Sequence, residues 1–144
     1  MSTEDNKALV RRLIATVWDG GSIDAVDDFL APDVVRHGPP GTEAELRGRD
    51  AFKQFASAYR AAFPDLNHTI ETQIAEGDLV VSRFSMRGTH RGERQGMAPT
   101  GRPIAVLGAI IDRVVGSRVV EQWPSYDALG LLQQLEVLPR PGQG

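Results

Sequence analysis

The spacing of apolar residues changes at Pro64, and this change limits the folds that the chain can adopt. Before Pro64, apolar residues recur every three or four positions, which is typical of helices with one buried face. After Pro64 they roughly alternate, which is typical of strands. Helices followed by consecutive strands indicate an α+β domain, in which helices cover one face of a curved antiparallel sheet and close it into a cone.

Three helices are predicted before the change of spacing. Their spans are Thr3 to Trp18, with Ser2 or Thr3 as cap, Asp24 to Leu30, with Ser22 as cap, and Arg49 to Phe63. Gly20-Gly21 ends the first helix, and Pro32 and Pro64 end the others. Between the second and third helices, Asp33 to His37 is expected to be a short extended segment.

Four strands and a last helix are predicted after Pro64. Their spans are Leu66 to Ala75, Leu79 to His90, Arg102 to Val115, Arg118 to Trp123 and, for the helix, Ala128 to Leu135. The final stretch, LPRPGQG, is expected to fray. Because the strands are apolar on both sides, we expect one face to meet the helices and the other to meet a second subunit in a homodimer.

Length and composition exclude several classes of protein. A chain of 144 residues is expected to form one domain, residues 1–144. The net charge of −3 and the scattered basic residues argue against nucleic acid as a partner. The chain has no cysteine, no apolar N-terminal signal and no run long enough to cross a membrane, so a cytoplasmic location without membrane contact is the default expectation.

The connection between the second and third strands is unusually long. It runs from Gly88 to Pro103, is rich in glycine and proline, and has His90 at its start. Loops of this length inside a compact domain usually have a function, although the simpler interpretation is that this one only reverses the chain.

Several stretches of the chain carry a family resemblance. They are AAFPDL (Ala61 to Leu66), AEGD (Ala75 to Asp78), GTHRG with MAPTGR (Gly88 to Arg102) and VVEQWPSYDALGLLQQL (Val119 to Leu135). Together they resemble the SnoaL-like polyketide cyclase family, which belongs to the nuclear transport factor two-like superfamily of α+β cones. The resemblance implies the fold over nearly the whole chain; the chemistry must be argued from the site.

The resemblance also implies a reaction. Cyclases of this family close a ring by intramolecular aldol condensation of a polyketide ester, without a metal or organic cofactor. Their acid is an aspartate directly after the tryptophan of an E-H-W-D segment, where this chain has Gln122, Trp123 and Pro124. Many family members of unassigned activity instead carry an acid four residues after the tryptophan, and Asp127 occupies that place.

Asp127 is therefore the predicted general acid or base, with His90 or His37 as its partner. Each residue has an alternative role: Asp127 as the N-cap of the last helix, His90 as a packed core histidine, and His37 as a residue that orders a loop. His68 begins a strand and is expected to be exposed. The residues expected to bind a hydrophobic carbonyl compound, under the loop that carries Met97, are Gln122, Trp123, Tyr126, Met97, Phe84 and Tyr59.

Two functional hypotheses follow. The spacing of the three histidines and of the carboxylates matches no metal-binding pattern, and the glycines lack the strand–loop–helix context of a phosphate site. The first hypothesis is a cofactor-independent enzyme that resembles the cyclases. The second is a non-catalytic module of the same fold that binds a small molecule or dimerises.

Overall fold

A computed structural model describes residues 2–137, so the predicted frayed tail lies outside the described residues. The helical segments are α1 (Thr3–Leu13), a π-helical segment (Ile14–Asp19), a 3₁₀ turn (Ile23–Ala25), α2 (Val26–Phe29), α3 (Arg49–Ala62) and α4 (Ala128–Gln134). The strands are β1 (Leu30–Arg36), β2 (Leu46–Arg47), β3 (Asn67–Glu76), β4 (Leu79–Thr89), β5 (Pro103–Val115) and β6 (Arg118–Tyr126).

The first helix begins with a capping box. The Ser2 hydroxyl accepts a hydrogen bond from the Asp5 amide at 3.0 Å, and the Asp5 carboxylate accepts one from the Ser2 amide at 3.2 Å. Beyond Leu13 the helix widens into the π-helical segment, where the Gly20 amide donates to the Ala15 carbonyl, five residues earlier, at 2.8 Å. Wider turns of this kind often occur at functional sites.

The second predicted helix is shorter than expected. It consists of the 3₁₀ turn and α2, Ser22 makes no side-chain cap hydrogen bond, and Leu30 already begins β1. Pro32 therefore lies inside a strand instead of ending a helix, which corrects the prediction. The strand tolerates proline because its pairing with β6 is irregular between Leu30 and Val35.

All six strands form one sheet in the order β2-β1-β6-β5-β4-β3. The four strands β3 to β6 pair antiparallel, as predicted. At the other edge β1 pairs parallel with β6, so the sheet is mixed, which corrects the prediction of a purely antiparallel sheet. A parallel pair is sterically allowed here because a long stretch of chain connects the two strands. The α+β class is confirmed.

The helices and the inner face of the sheet enclose the core. Residues that are almost fully buried come from both layers, among them Val10 and Val17 at the N-terminal helix, Phe52 in α3 and Val80 in β4. Within residues 2–137, no helix has the length and apolar character needed to span a membrane.

The outer face of the sheet carries an apolar row of residues in cross-strand register. Ile74 of β3 faces Val81 of β4, Val81 faces Ile111 of β5, and Ile111 faces Trp123 of β6. Ile74 is 63% exposed and Ile111 is 37% exposed. Ile74, Val81 and Ile111 are exposed, whereas the ring of His37 stacks on Trp123. We call these four residues the outer apolar row.

Candidate active site

A cavity of about 560 Å³, including its open mouth, lies between the N-terminal helices, α3 and the inner face of the sheet. Its apolar lining consists of Ile14, Trp18, Phe55, Phe84, Met86, Ile110 and Pro124. Its polar lining consists of Arg36, Glu43, Tyr59, His68, Ser125 and Tyr126. The site therefore combines an apolar wall with a few polar groups.

A second, outer cavity of about 470 Å³ adjoins the first. The two cavities share Glu43, Phe55 and Tyr59, and the outer one is closed by Glu93 and Arg94 of the long β4–β5 loop. The prediction that this loop covers the site is therefore supported by the lining of the outer cavity.

Arg36 is the buried cation of the inner cavity. It ends β1 on the inner face of the sheet and is 8% exposed. Its guanidinium carbon lies 5.6 Å from the centre of the Trp18 ring and 5.1 Å from that of Phe55, so it makes cation–π contacts with both. Its Nε atom lies 3.6 Å from Oε2 of Glu43. Burial lowers the pKa of Arg36, and the carboxylate of Glu43 opposes that shift.

Behind Arg36, a chain of polar side chains runs into the sheet. Nη1 of Arg36 donates to Oε1 of Gln122 at 3.4 Å, and Nε2 of Gln122 donates to Oδ1 of Asp112 at 2.7 Å. Burial raises the pKa of Asp112 to about 6, although its bond from Gln122 and the charge of Arg36 act in the opposite direction. Its second oxygen, Oδ2, is buried without a hydrogen-bond partner in the described residues.

Two tyrosines complete the polar side of the cavity. Burial raises the pKa of Tyr59 to about 12, and burial together with the charge of Glu43 raises the pKa of Tyr126. Both hydroxyls therefore stay protonated at neutral pH and are available as hydrogen-bond donors.

His68 lies in the cavity wall, and the prediction that it is exposed is wrong. Its side chain is 8% exposed, and its Nδ1 atom lies 2.7 Å from Oδ1 of Asp19. The ring makes edge contacts with Trp18 and Phe84. It is held there because Asp19, at the end of the π-helical segment, reaches the first residues of β3.

Asp127 is exposed and lies outside the lining of both cavities. It is the N-cap of α4, and its Oδ1 atom accepts a hydrogen bond from the Gly130 amide at 2.8 Å. This geometry supports the cap interpretation, while its catalytic role stays a prediction.

His90 is buried and also lies outside the lining of both cavities. Its Nδ1 atom accepts a hydrogen bond from the Thr100 amide at 3.2 Å, so the histidine ties the two ends of the long loop together. Burial lowers the pKa of His90, and the nearby charge of Arg94 adds to that shift. A neutral, packed imidazole is thus the alternative that the geometry supports.

His37 and Trp123 lie on the outer side of the sheet, away from the cavity. Their rings stack at 5.5 Å, and His37 binds the carboxylates of Glu45 at 3.0 Å and Glu121 at 2.6 Å. Gln122 and Trp123 are neighbours in a strand and must face opposite sides, so the prediction that both line one pocket is wrong.

The remaining predicted residues divide between the cavity and the core. Phe84, Tyr59 and Tyr126 line the cavity, and Gln122 lies behind Arg36. Met97 packs against the core and forms an isolated bridge with Arg94 inside the loop. The structure therefore does not bring Asp127, His90 and His37 together.

The sequence analysis missed Arg36, Glu43, His68 and Asp19. Strand alternation could have found Arg36, because it shares its side of β1 with the apolar Val34. Nothing local indicates Glu43, which comes from a glycine- and proline-rich loop, or the pair of Asp19 and His68, which is far apart in sequence. Among residues 2–137, no group of three or more histidine, aspartate or glutamate side chains is arranged to hold a metal ion.

Comparison with known families identifies the fold and its lineage. The model of the SnoaL-like polyketide cyclases matches residues 8–135. The chain belongs to this family. DnrD from Streptomyces peucetius, an aklanonic acid methyl ester cyclase, is 31% identical over 149 residues, covering 98% of this chain and 97% of the relative. In this SnoaL-like chain, Pro124 lines the cavity at the position where the family resemblance places an aspartate.

Solved structures share the fold of this chain. AclR from Streptomyces galilaeus aligns with a TM-score of 0.83 and 29% identity, over 96% of this chain and 85% of AclR. A protein from Jannaschia sp. CCS1, assigned to the SnoaL-like polyketide cyclases, aligns with a TM-score of 0.86 at 22% identity over 95% of each chain. The second likeness concerns the fold alone.

Proposed function

We propose that this SnoaL-like protein is a cofactor-independent cyclase that closes a ring by intramolecular aldol condensation in a hydrophobic carbonyl compound. The observation that carries the proposal is Arg36, a buried guanidinium held at an apolar cavity by Trp18 and Phe55. An aldol condensation passes through an enolate, whose negative oxygen is stabilised by a cation or hydrogen-bond donor that is already in place. The relatives that cyclise aklanonic acid methyl ester favour a polyketide ester as substrate.

The surroundings of Arg36 support this role. Glu43 balances its charge from one side, and Gln122 fixes the orientation of the guanidinium from the other. Tyr59 and Tyr126 line the same cavity, and we expect their hydroxyls to donate to a second carbonyl oxygen. The apolar wall lowers the local dielectric constant, which strengthens each of these electrostatic interactions.

Turnover of a polyketide ester tests the proposal. We expect the purified protein to convert aklanonic acid methyl ester, or a simpler aromatic β-ketoester that carries a second ketone within ring-forming distance, in buffer with EDTA and no added cofactor. An aldol ring closure rearranges atoms without adding or losing any, so the product should differ from the substrate in chromatographic retention but not in mass. Saturable binding of these esters without conversion would contradict the proposal and favour the non-catalytic module.

A substitution at Arg36 tests the role of the cation. Arg36→Lys keeps the charge but loses the planar fork, so we expect kcat to fall by about 10²-fold, comparable to the loss of one oxyanion donor. Arg47→Lys is the matched control, because Arg47 lies on the neighbouring strand β2 and its side chain is 72% exposed. Equal kcat in both variants would remove Arg36 from the mechanism.

We further propose that the protein is a homodimer that buries the outer apolar row. The row spans four adjacent strands, and its members on three of them, Ile74, Val81 and Ile111, are exposed. Contiguous apolar surface of this kind marks an interaction site, and a second copy of the same face is the simplest partner for it.

A further inference from the structure

A ring closure needs a base that removes the proton next to a carbonyl group, and Arg36 cannot act as one because a guanidinium has no acceptor atom. We propose that His68 is this general base and that Asp19 is the residue that positions it. The inference rests on the proposed function, and it gives a role to two residues that lie outside the E-H-W-D segment of the family.

Asp19 holds His68 by two hydrogen bonds. Oδ1 of Asp19 lies 2.7 Å from Nδ1 of the ring, and Oδ2 accepts the backbone amide of His68 at 3.0 Å. Side chain and backbone of the histidine are thus fixed by one carboxylate. The aromatic rings of Trp18 and Phe84, with centres 6.4 Å and 5.2 Å from that of the imidazole, restrict its remaining rotation.

The carboxylate also selects the tautomer of the ring. A carboxylate only accepts hydrogen bonds, so Nδ1 carries a proton, and in the neutral ring the lone pair is on Nε2. Nε2 makes no hydrogen bond within the described residues, although the imidazole lines the cavity. The ring therefore offers the cavity a proton acceptor whose orientation is set before a substrate binds.

Glu43 is the other proton acceptor on the cavity, and its environment suits it less well to this task. Its Oε2 atom faces Nε of Arg36 at 3.6 Å, and its side chain is 5% exposed. If Glu43 took the proton, the buried guanidinium of Arg36 would lose its neighbouring carboxylate charge, which is costly inside a protein.

The proton transfers balance without any further reactant. Nε2 of His68 takes the proton from the carbon next to one carbonyl group, and the electrons of that C–H bond form the enolate that Arg36 stabilises. The enolate carbon attacks the second carbonyl carbon, so that a C–C bond forms and the C=O double bond opens to an alkoxide. The alkoxide then takes the proton back from Nε2, which regenerates neutral His68, while Asp19 stabilises the imidazolium in between.

Substitution of His68 provides the first test, with the best substrate of the ester screen. We expect His68→Asn to lower kcat by about 10²–10⁴-fold, with little change in KM. Should His68→Asn fold poorly, His68→Ala in the presence of added imidazole gives a second measurement, because free imidazole should restore turnover in a concentration-dependent way. Wild-type kcat in His68→Asn, or no rescue of a folded His68→Ala variant by imidazole, would overturn the assignment.

Substitution of Asp19 tests the positioning role. A side-chain amide has one acceptor oxygen atom where the carboxylate has two. In Asp19→Asn, separate oxygen atoms can therefore no longer accept the backbone amide of His68 and Nδ1–H. An NH₂ group that faces Nδ1 would favour the tautomer with its proton on Nε2. We expect kcat to fall at least about tenfold and the ¹⁵N chemical shift of Nε2 to move to that of a protonated nitrogen. An unchanged Nε2 shift with unchanged kcat would overturn the positioning role.

Asp65→Asn is the matched control for Asp19→Asn. Asp65 also accepts one backbone amide and one side-chain donor, both from Thr89 at 2.7 Å, but it is exposed and lies outside the cavity lining. A loss of kcat in both variants would indicate a general loss of structure and overturn the assignment. If the wild type converts the ester and the His68 variants convert it equally well, the proposed function stands and the role of His68 is wrong. If the wild type converts no ester, both the proposed function and the role of His68 are wrong.

Discussion

Asp112 has the most unfavourable electrostatic environment among the carboxylates described above. It is 1% exposed, it receives one hydrogen bond, from Gln122, and its other oxygen has no partner within residues 2–137. A buried carboxylate with so little compensation resists ionisation. The charge of Arg36, on the far side of Gln122, lowers the free-energy cost of ionising Asp112 without removing it.

We expect this carboxyl group to make stability depend on pH. Its pKa is about 6 in the folded protein and 3.8 in the unfolded chain, so between these values only the folded protein holds the proton. The free energy of unfolding should therefore fall as pH rises through this window, by up to about 3 kcal/mol from this group. Urea unfolding of wild type and Asp112→Asn across the window measures the effect as a difference.

The effect must be measured as the difference in the free energy of unfolding between the two proteins, because the pKa values of other carboxylates shift in the opposite direction. Hydrogen bonds from Thr89 lower the pKa of Asp65, which adds stability as pH rises. Asp112→Asn leaves that contribution intact. If the free energy of unfolding depends on pH in the same way for both proteins, Asp112 is ionised over the whole window and the prediction is wrong.

At the scale of single elements, α4 shows how a cap and a catalytic acid can be confused in a sequence. Asp127 starts this short helix, and Gln134 near its end binds the backbone of Ala105 in β5 through both amide atoms, at 2.6 Å and 2.9 Å. A residue that begins a helix directly after a strand of the cavity can occupy the sequence position of a catalytic acid even though its side chain does not line the cavity.

Two variants separate these roles for Asp127. Asparagine also caps helices, so Asp127→Asn should keep both stability and turnover, while Asp127→Ala should lose about 1 kcal/mol of stability. Thermal unfolding and steady-state kinetics measure the two effects. A loss of turnover of about 10²-fold or more in the stable asparagine variant would instead support the role as general acid predicted from the sequence.

Periodicity predicted the elements better than it predicted the site. The predicted span of α3, Arg49 to Phe63, exceeds the observed helix by one residue, and β3 to β6 lie where the alternation places them, because burial of one helix stripe or strand face is a local property. The parallel pairing of β1 and the contact of Asp19 with His68 depend on residues distant in sequence. Strand alternation alone, applied to Gln122 and Trp123, would have separated the cavity face from the outer face.

At the scale of the whole molecule, the outer apolar row determines the assembly that we expect. A homodimer at micromolar concentration should be visible by light scattering or sedimentation, and Ile111→Lys, at the centre of the row, should shift it to monomer. Leu129→Lys is the control, because Leu129 is 58% exposed but lies on α4 and not in the sheet. A monomeric wild type would contradict the proposal.

The π-helical segment gives the site a tolerance that a regular helix would not have. Its wide turn accommodates one residue more than an α-helix does over the same stretch, and Trp18 and Asp19 lie at its end. Removing a single residue near Thr16 would let the chain continue as an ordinary α-helix, and whatever follows would keep nearly the same direction. Trp18 would then still face Arg36, and Asp19 would still face His68. An in-frame loss of one codon at this point should thus harm the protein far less than the same loss within α3, where no wide turn absorbs it and the following residues would rotate by about 100°.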